Sequence, residues 1–309
     1  MKKLSENKTS PKLLNIYKPE GISSFDVIRK WKPKLRDQGK IGHFGTLDPF
    51  ASGVLILGVN GAQRLNNYIH DFLPKKYLAI GVLGKETETG DLTVAPSQFD
   101  NSDFFNNEIP NFSIEFIESK LNEQFLGEYL QAPHKYSAAK YEGKALHKWA
   151  REGITIKKEK KLRYIHSIKV MNYSFPNITI EFEVSSGTYI RTLFSECANY
   201  LGTLGVLERL IRTEIGACTS ENAIKEKLWN ENDHNYFDVD SLLDFSSLIL
   251  SDKELNLYKN GVRLKCSRSL SEEMGSLTNS FRWVKGTDHK IIGLAEIVED
   301  EFHSRINFN

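Results

Sequence analysis

The residues Gly42-His43-Phe44-Gly45-Thr46-Leu47-Asp48-Pro49-Phe50-Ala51-Ser52-Gly53 run directly into the apolar segment Val54–Val59. The apolar segment reads as a buried strand, so a covered sheet must lie beside a glycine-rich loop. Glycine permits close approach of a ligand to the backbone. Pro49 stiffens the chain and disfavours the helical region for Asp48. Taken singly, a His or an Asp-Pro pair is ordinary turn chemistry. The whole string, placing a His and an Asp on a glycine-flanked loop at a sheet end, marks a candidate site.

The surrounding pattern is mixed. Leu13–Tyr17 reads as a strand closed by the turn signal Lys18-Pro19-Glu20-Gly21. Ser23 or Ser24 caps a helix carrying Phe25, Val27, Ile28 and Trp31. Ala62–Phe72 reads as a helix and Tyr77–Leu83 as a strand, followed by loop-like residues 86–112. Ser113 caps a helix with Ile117, Leu121 and Phe125 at four-residue spacing. Residues 164–175 and 178–185 read as a strand pair, in which Ile178, Ile180, Phe182 and Val184 alternate with polar residues. Ile190–Leu201 reads as a helix stopped by Gly202, and Leu207–Ile215 as a further strand. This order predicts an α+β fold with a mixed, largely antiparallel sheet and flanking helices. Residues 1–12 read as a loose basic tail, 13–245 as the main domain and 246–309 as a small β module. Val262–Cys266 and Ile291–Val298 are its clearest strands.

Charge is segregated on a nearly neutral chain of 41 basic and 40 acidic residues. Residues 134–163 hold ten Lys or Arg against three Glu, with Tyr136, Tyr141 and Trp149 interleaved. Such a segment can build a basic face for a polyanion, or a solvated helix face. Cys197, Cys218 and Cys266 are widely spaced and suit a reducing cytoplasm; they show neither a disulfide framework nor a zinc motif. The longest apolar run is too short to span a bilayer, and no apolar segment follows the basic N-terminus, so a cytoplasmic location is expected.

The glycine-rich string resembles the signature of the bacterial tRNA pseudouridine-55 synthases, the TruB family, G-H-x-G-x-L-D-P-x-A-x-G-x-L. Gly42, His43, Gly45, Leu47, Asp48, Pro49, Ala51, Gly53 and Leu55 fill every specified position. Other family segments follow in order. Lys18–Ser24 resembles K-P-x-G-x-[ST]-S, and Lys76-Tyr77 resembles the strand whose Tyr stacks on the target base. Gly84, Thr87, Thr89 and Asp91 match G-x-x-T-x-T-x-D. Gln131, Pro133, Ser137, Ala138 and Lys140, with Gly143, Leu146, Ala150, Arg151 and Gly153, match the Q-x-P-x-x-S-A-x-K element and its continuation. Gly187–Thr192 matches G-T-Y-I-R-[ST], and Leu207–Arg212 resembles L-x-x-L-x-R. The resemblance covers about residues 13–215 and is thinner beyond.

The resemblance implies a pseudouridine synthase fold with a PUA-like C-terminal module. The implied reaction isomerises uridine to pseudouridine at position 55 of the tRNA T-loop. It is redox-neutral and calls for no cofactor, and no metal site is expected. Asp48 is the implied catalytic carboxylate, acting by electrostatics, covalent attack or as a base. Arg191 is its implied partner. Tyr77 is the stacking residue and a candidate for moving the C5 proton; Tyr189 and Leu210 line the pocket. His43 contacts RNA near the flipped nucleotide, and Lys18 and Pro19 buttress the pocket behind Tyr77. Lys135, Lys140, Lys144, Lys148 and Arg151 grip the T-arm from a thumb-like insertion. The partner implied is tRNA, with no membrane and no obligate protein partner, as a monomer. Phe44, His147, the absence of a Gly soon after Asp91 and the divergent loop 97–112 depart from the family pattern. Two rivals carry different expectations: an RNA-binding or tRNA-folding factor with incidental activity, and a synthase acting on another RNA. An unrelated hydrolase using Asp48 and His43 lacks a third partner in the sequence.

Overall fold

The computed structural model describes residues 10–137, 139–156, 158–230, 235–265 and 280–308. A ten-stranded sheet organises the chain. Its spatial order is Phe237–Asp238, Lys12–Lys18, Ser52–Val59, Gly205–Ile215, Lys75–Leu83, Asn177–Val184, Lys161–Ser174 and Gly127–Gln131. The short strands Gly42–His43 and Cys218–Thr219 pair off this path. Every pairing in this sheet is antiparallel except that of Ile211-Arg212 with Ser52-Gly53.

Ser52–Val59 is buried along its whole length, as the apolar run Val54–Leu57 within it requires. Leu55 and Leu57 face the helix Ser24–Trp31 through Val27 and Trp31. Val54 and Ile56 face the opposite way, onto Leu65, Ile69 and the C-terminal residues Trp283, Leu294 and Ile306. The C-terminal module therefore shares a core with the main sheet. Asn177–Val184 buries Ile178, Ile180, Phe182 and Val184. The helices Ile114–Phe125 and Ile190–Tyr200 cover that face. Among the described residues no helix is long and apolar enough to cross a membrane.

Several elements differ from the sequence expectation. The first described strand begins at Lys12, inside the expected tail, and residues 1–9 lie outside the described residues. Ser23 is the cap, in a reciprocal capping box with Asp26. The expected helix Ala62–Phe72 is a 3₁₀ turn, Ala62–Leu65, followed by the helix Asn66–Phe72. Residues 86–112 are more ordered than a loop. They hold the end of the Lys85–Glu86/Gln98–Phe99 hairpin and the helix Asp103–Asn107, whose Ser102 cap carried the missed signal. The C-terminal module is a five-stranded sheet with a helix, Asp252–Lys259, capped by Ser251 and Glu254. Its strand Leu264–Lys265 is shorter than expected over the described residues, and Cys266 lies outside them.

Candidate active site

Asp48 sits on a loop fixed from three sides. Ser24 Oγ accepts from the Leu47 amide at 2.9 Å and donates to the Leu47 carbonyl at 3.3 Å. The Pro49 carbonyl accepts from the Gly21 amide at 2.8 Å and from the Lys18 ammonium at 3.3 Å. Lys18 is fully buried, and its other donors go to the carbonyls of Pro19 and Ile22. It holds the loop from behind, next to the half-buried Pro19. Burial lowers its pKa to about 8, with nearby Asp48 opposing and Arg212 adding to the shift.

Arg212 holds the third side. It is 1% exposed, and its guanidinium donates to the carbonyls of Val54, Gly45 and Thr46 at 2.8, 3.1 and 3.4 Å. The sequence placed Arg212 in a strand motif without a role. Its backbone pairs with Gly53, where a Cβ would lie 2.1 Å from the Arg212 carbonyl oxygen. Gly53 has φ +109°, so only glycine suits this close parallel contact.

Arg191 lies in the first turn of the helix Ile190–Tyr200, and its side chain is 6% exposed. One terminal nitrogen lies 2.9 Å from Asp48 Oδ2 and 3.0 Å from the Tyr136 carbonyl. The other lies 3.1 Å from Asp91 Oδ2 and 2.8 Å from the Thr89 carbonyl. Asp91 is itself buried and takes hydrogen bonds from Thr89 Oγ1, the Thr93 amide and Thr93 Oγ1. One guanidinium thus bridges two carboxylates. In the sequence Asp91 stands out only as a motif position.

The Asp48 side chain is 39% exposed, so water reaches it. The surrounding protein still penalises its charge. Burial raises its pKa, nearby Asp91 adds to the rise, and Arg191 and Lys18 oppose it.

Tyr77 and Leu210 come from neighbouring strands and share one apolar cluster with Leu47 and Ala51. Tyr77 is 8% exposed. Tyr189 caps the Arg191 helix, and its backbone is clamped by the buried Gln131 amide. The Tyr189 N–H donates at 2.7 Å, and its carbonyl accepts at 3.0 Å. His43 lies half-buried on the short strand Gly42–His43 beside Ser52–Val59. Burial and Arg212 lower its pKa. Asp48, Arg191, Tyr77, Tyr189, Leu210, Lys18 and Pro19 thus gather around one loop and one helix start.

The basic insertion stands apart from this core. Lys140–Tyr141 pairs with Lys144–Ala145, and the helix Leu146–Arg151 follows. Lys144 stacks 4.1 Å over the Trp149 ring and is ion-paired to Glu152, so part of its charge is already balanced. Lys140, Lys148 and Arg151 are exposed. Lys135 pairs with Glu88 at 3.2 Å. Ala138 and Lys157 lie outside the described residues.

Residues 32–190 match the family described as TruB family pseudouridylate synthase (N terminal domain). A tRNA pseudouridine synthase B of Clostridium acetobutylicum is 32% identical over 293 residues, 94% of this chain and 96% of the relative. One from Clostridium novyi is 35% identical over 286 residues, 91% and 94% of the two chains. Among solved structures, a Cbf5-Nop10-Gar1 complex contains a chain of the same fold. It matches at TM-score 0.67 and 18% identity, over 96% of this chain and 85% of the other. With the family's sequence pattern over more than half its length and near full-length relatives, this chain belongs to the TruB family of pseudouridylate synthases.

Proposed function

We propose that the protein isomerises uridine 55 to pseudouridine in the T-loop of tRNAs, with Asp48 as the catalytic carboxylate. The observation that carries this reading is the half-open Asp48 carboxylate, paired to a buried Arg191 beside the wall of Tyr77 and Leu210. The tRNA substrate follows from the relatives named tRNA pseudouridine synthase B.

In this reading the target uridine leaves its stack and enters the cleft. Its base lies against Tyr77 and Leu210, with Tyr189 at the side. The N1–C1′ bond breaks, the uracil turns, and a C5–C1′ bond forms. The C5 proton leaves and N1 gains one, so atoms and electrons balance. Asp48 supplies negative charge where C1′ becomes electron-poor. Arg191 keeps that carboxylate ionised against the cost of burial. A bound base expels water from the cleft and strengthens the pair. Tyr77 is the candidate for moving the C5 proton, its phenol passing on its own proton as that one arrives. His43 contacts the RNA beside the flipped nucleotide, and Lys18 and Pro19 hold the loop that carries Asp48.

The unit 13–245 carries the chemistry in this proposal. The thumb, 134–163, grips the T-arm through Lys135, Lys140, Lys144, Lys148 and Arg151. The module 246–309 adds RNA contacts as a PUA-like domain. The protein acts as a cytoplasmic monomer. The test is incubation with an unmodified T-arm transcript, followed by mapping of pseudouridine. Modification at position 55 alone is expected; modification elsewhere, or none beside tight binding, favours another RNA target or a folding factor.

A further inference from the structure

The loop 86–91 makes two attachments at once. Thr89 and Asp91 hold Arg191. Glu88, one residue earlier, holds the root of the thumb. Its Oε1 accepts from the Tyr136 phenol at 2.8 Å and from the Lys135 ammonium at 3.2 Å. Tyr136 in turn offers its carbonyl to Arg191, on the nitrogen that also pairs with Asp48. Loop, thumb root and Arg191 close a ring of contacts.

We propose that Glu88 and Tyr136 form a latch coupling the closed position of the thumb to the Asp48–Arg191 pair. Both are positioning residues for the reaction proposed above, on which this inference rests. Among the described residues 139–156, Leu146 is the one buried apolar side chain. The outer thumb therefore has little core of its own, and its root sets its position. The Glu88 side chain is 63% exposed, so its contacts lie in water and part at low cost. Parting draws the Tyr136 carbonyl away from Arg191. A guanidinium N–H that is almost out of reach of solvent then loses its acceptor, and the arginine is held less firmly against Asp48. RNA pressing the thumb closed restores that acceptor as the substrate arrives. An ordinary surface contact of equal strength would not reach the ion pair.

The test compares wild type, Glu88→Ala, Tyr136→Phe and the double variant in single-turnover isomerisation of unmodified T-arm RNA at saturating enzyme. Each single variant is expected to slow bound RNA about two- to fivefold, the range an exposed charge-assisted contact supplies, with RNA affinity unchanged. The double variant is expected to be no slower than the slower single one, because both cut one link. Trypsin acting on the RNA-free protein is expected to cut at Lys140, Lys144 and Lys148 sooner in both variants. Wild-type single-turnover rates, additive slowing with weakened RNA binding, or unchanged trypsin cutting would each overturn the latch. An inactive wild type would instead count against the functional reading, and trypsin cutting alone would then decide the latch.

Discussion

Asp48 and Asp91 bind the two terminal nitrogens of one guanidinium, at 2.9 and 3.1 Å, and contribute differently to it. Asp91 is 4% exposed and locked by its own threonines, whereas Asp48 is 39% exposed and open to solvent. The inner carboxylate anchors the arginine, and the arginine presents itself to the outer one. Asp91→Asn removes the anchor charge. Breaking a buried pair typically costs about 3–5 kcal/mol, and the lower figure applies here because Asp48 still balances the charge. A lower melting temperature and a slower turnover are expected. Unchanged values for both would contradict the anchoring role.

The acid limb of activity follows from the burial of Asp48. The proposed mechanism needs the ionised carboxylate, so in it the rate falls as pH drops through its pKa. That pKa is raised above the ordinary value of 3.8, chiefly by burial. The limb therefore lies at higher pH than for a solvated Asp. The stability sign is the reverse. A raised carboxyl pKa stabilises the fold in acid, and this contribution is lost as pH rises through the folded value. Asp48→Asn is accordingly expected to be no less stable than wild type at neutral pH, as read by thermal unfolding. A marked loss of stability at pH 7 would refute this.

Lys75 illustrates a buried charge without a carboxylate beside it. It is 3% exposed, its ammonium lies 3.4 Å from His70 Nδ1, and Arg212 stands close by. Burial, with Arg212 adding, lowers its pKa to about 7, and His70 is lowered to about 4 by burial, Lys75 and Arg212. A depressed lysine pKa stabilises the fold above its unfolded value, and this is lost as pH falls through the folded one. Lys75→Met should therefore stabilise the protein by on the order of 2 kcal/mol near pH 7, with the gain shrinking towards pH 10. Denaturant unfolding at the two pH values checks it. A loss of stability at pH 7 would show that the lysine contributes more than its charge costs.

How much of this was legible in sequence depends on how far apart the partners lie. Asp48, His43 and the buried strand were readable because one contiguous string holds them. Arg191 and Tyr77 were readable only through the ordered family motifs. The side chains that hold the site in place were not. Arg212 reaches a carbonyl 167 positions away, Arg191 reaches Asp91 across 100, and Gln131 clamps Tyr189 across 58. No local pattern encodes such contacts; they exist only once the sheet has brought the strands together. The helix Asp103–Asn107 was missed for a different reason: at five residues it is too short to show a period.

The thumb prediction is refined by the structure. Lys144 is engaged by Trp149 and Glu152, whereas Lys148 and Arg151 project into solvent. Neutralising Lys148 and Arg151 together should weaken tRNA binding and make its dependence on log salt shallower by about 2. The Lys144→Ala change should have a smaller effect. A salt slope equal to wild type in the Lys148/Arg151 variant would return these residues to an ordinary solvated face.

The most direct test of the central claim is tritium release from unmodified tRNA labelled at uridine C5, with wild type and Asp48→Asn side by side. Asn is nearly isosteric with Asp, so RNA binding should persist while the charge at C1′ is gone. Release by wild type alone, with equal RNA binding by both proteins, is the predicted result. Release by Asp48→Asn at the wild-type rate would contradict the account.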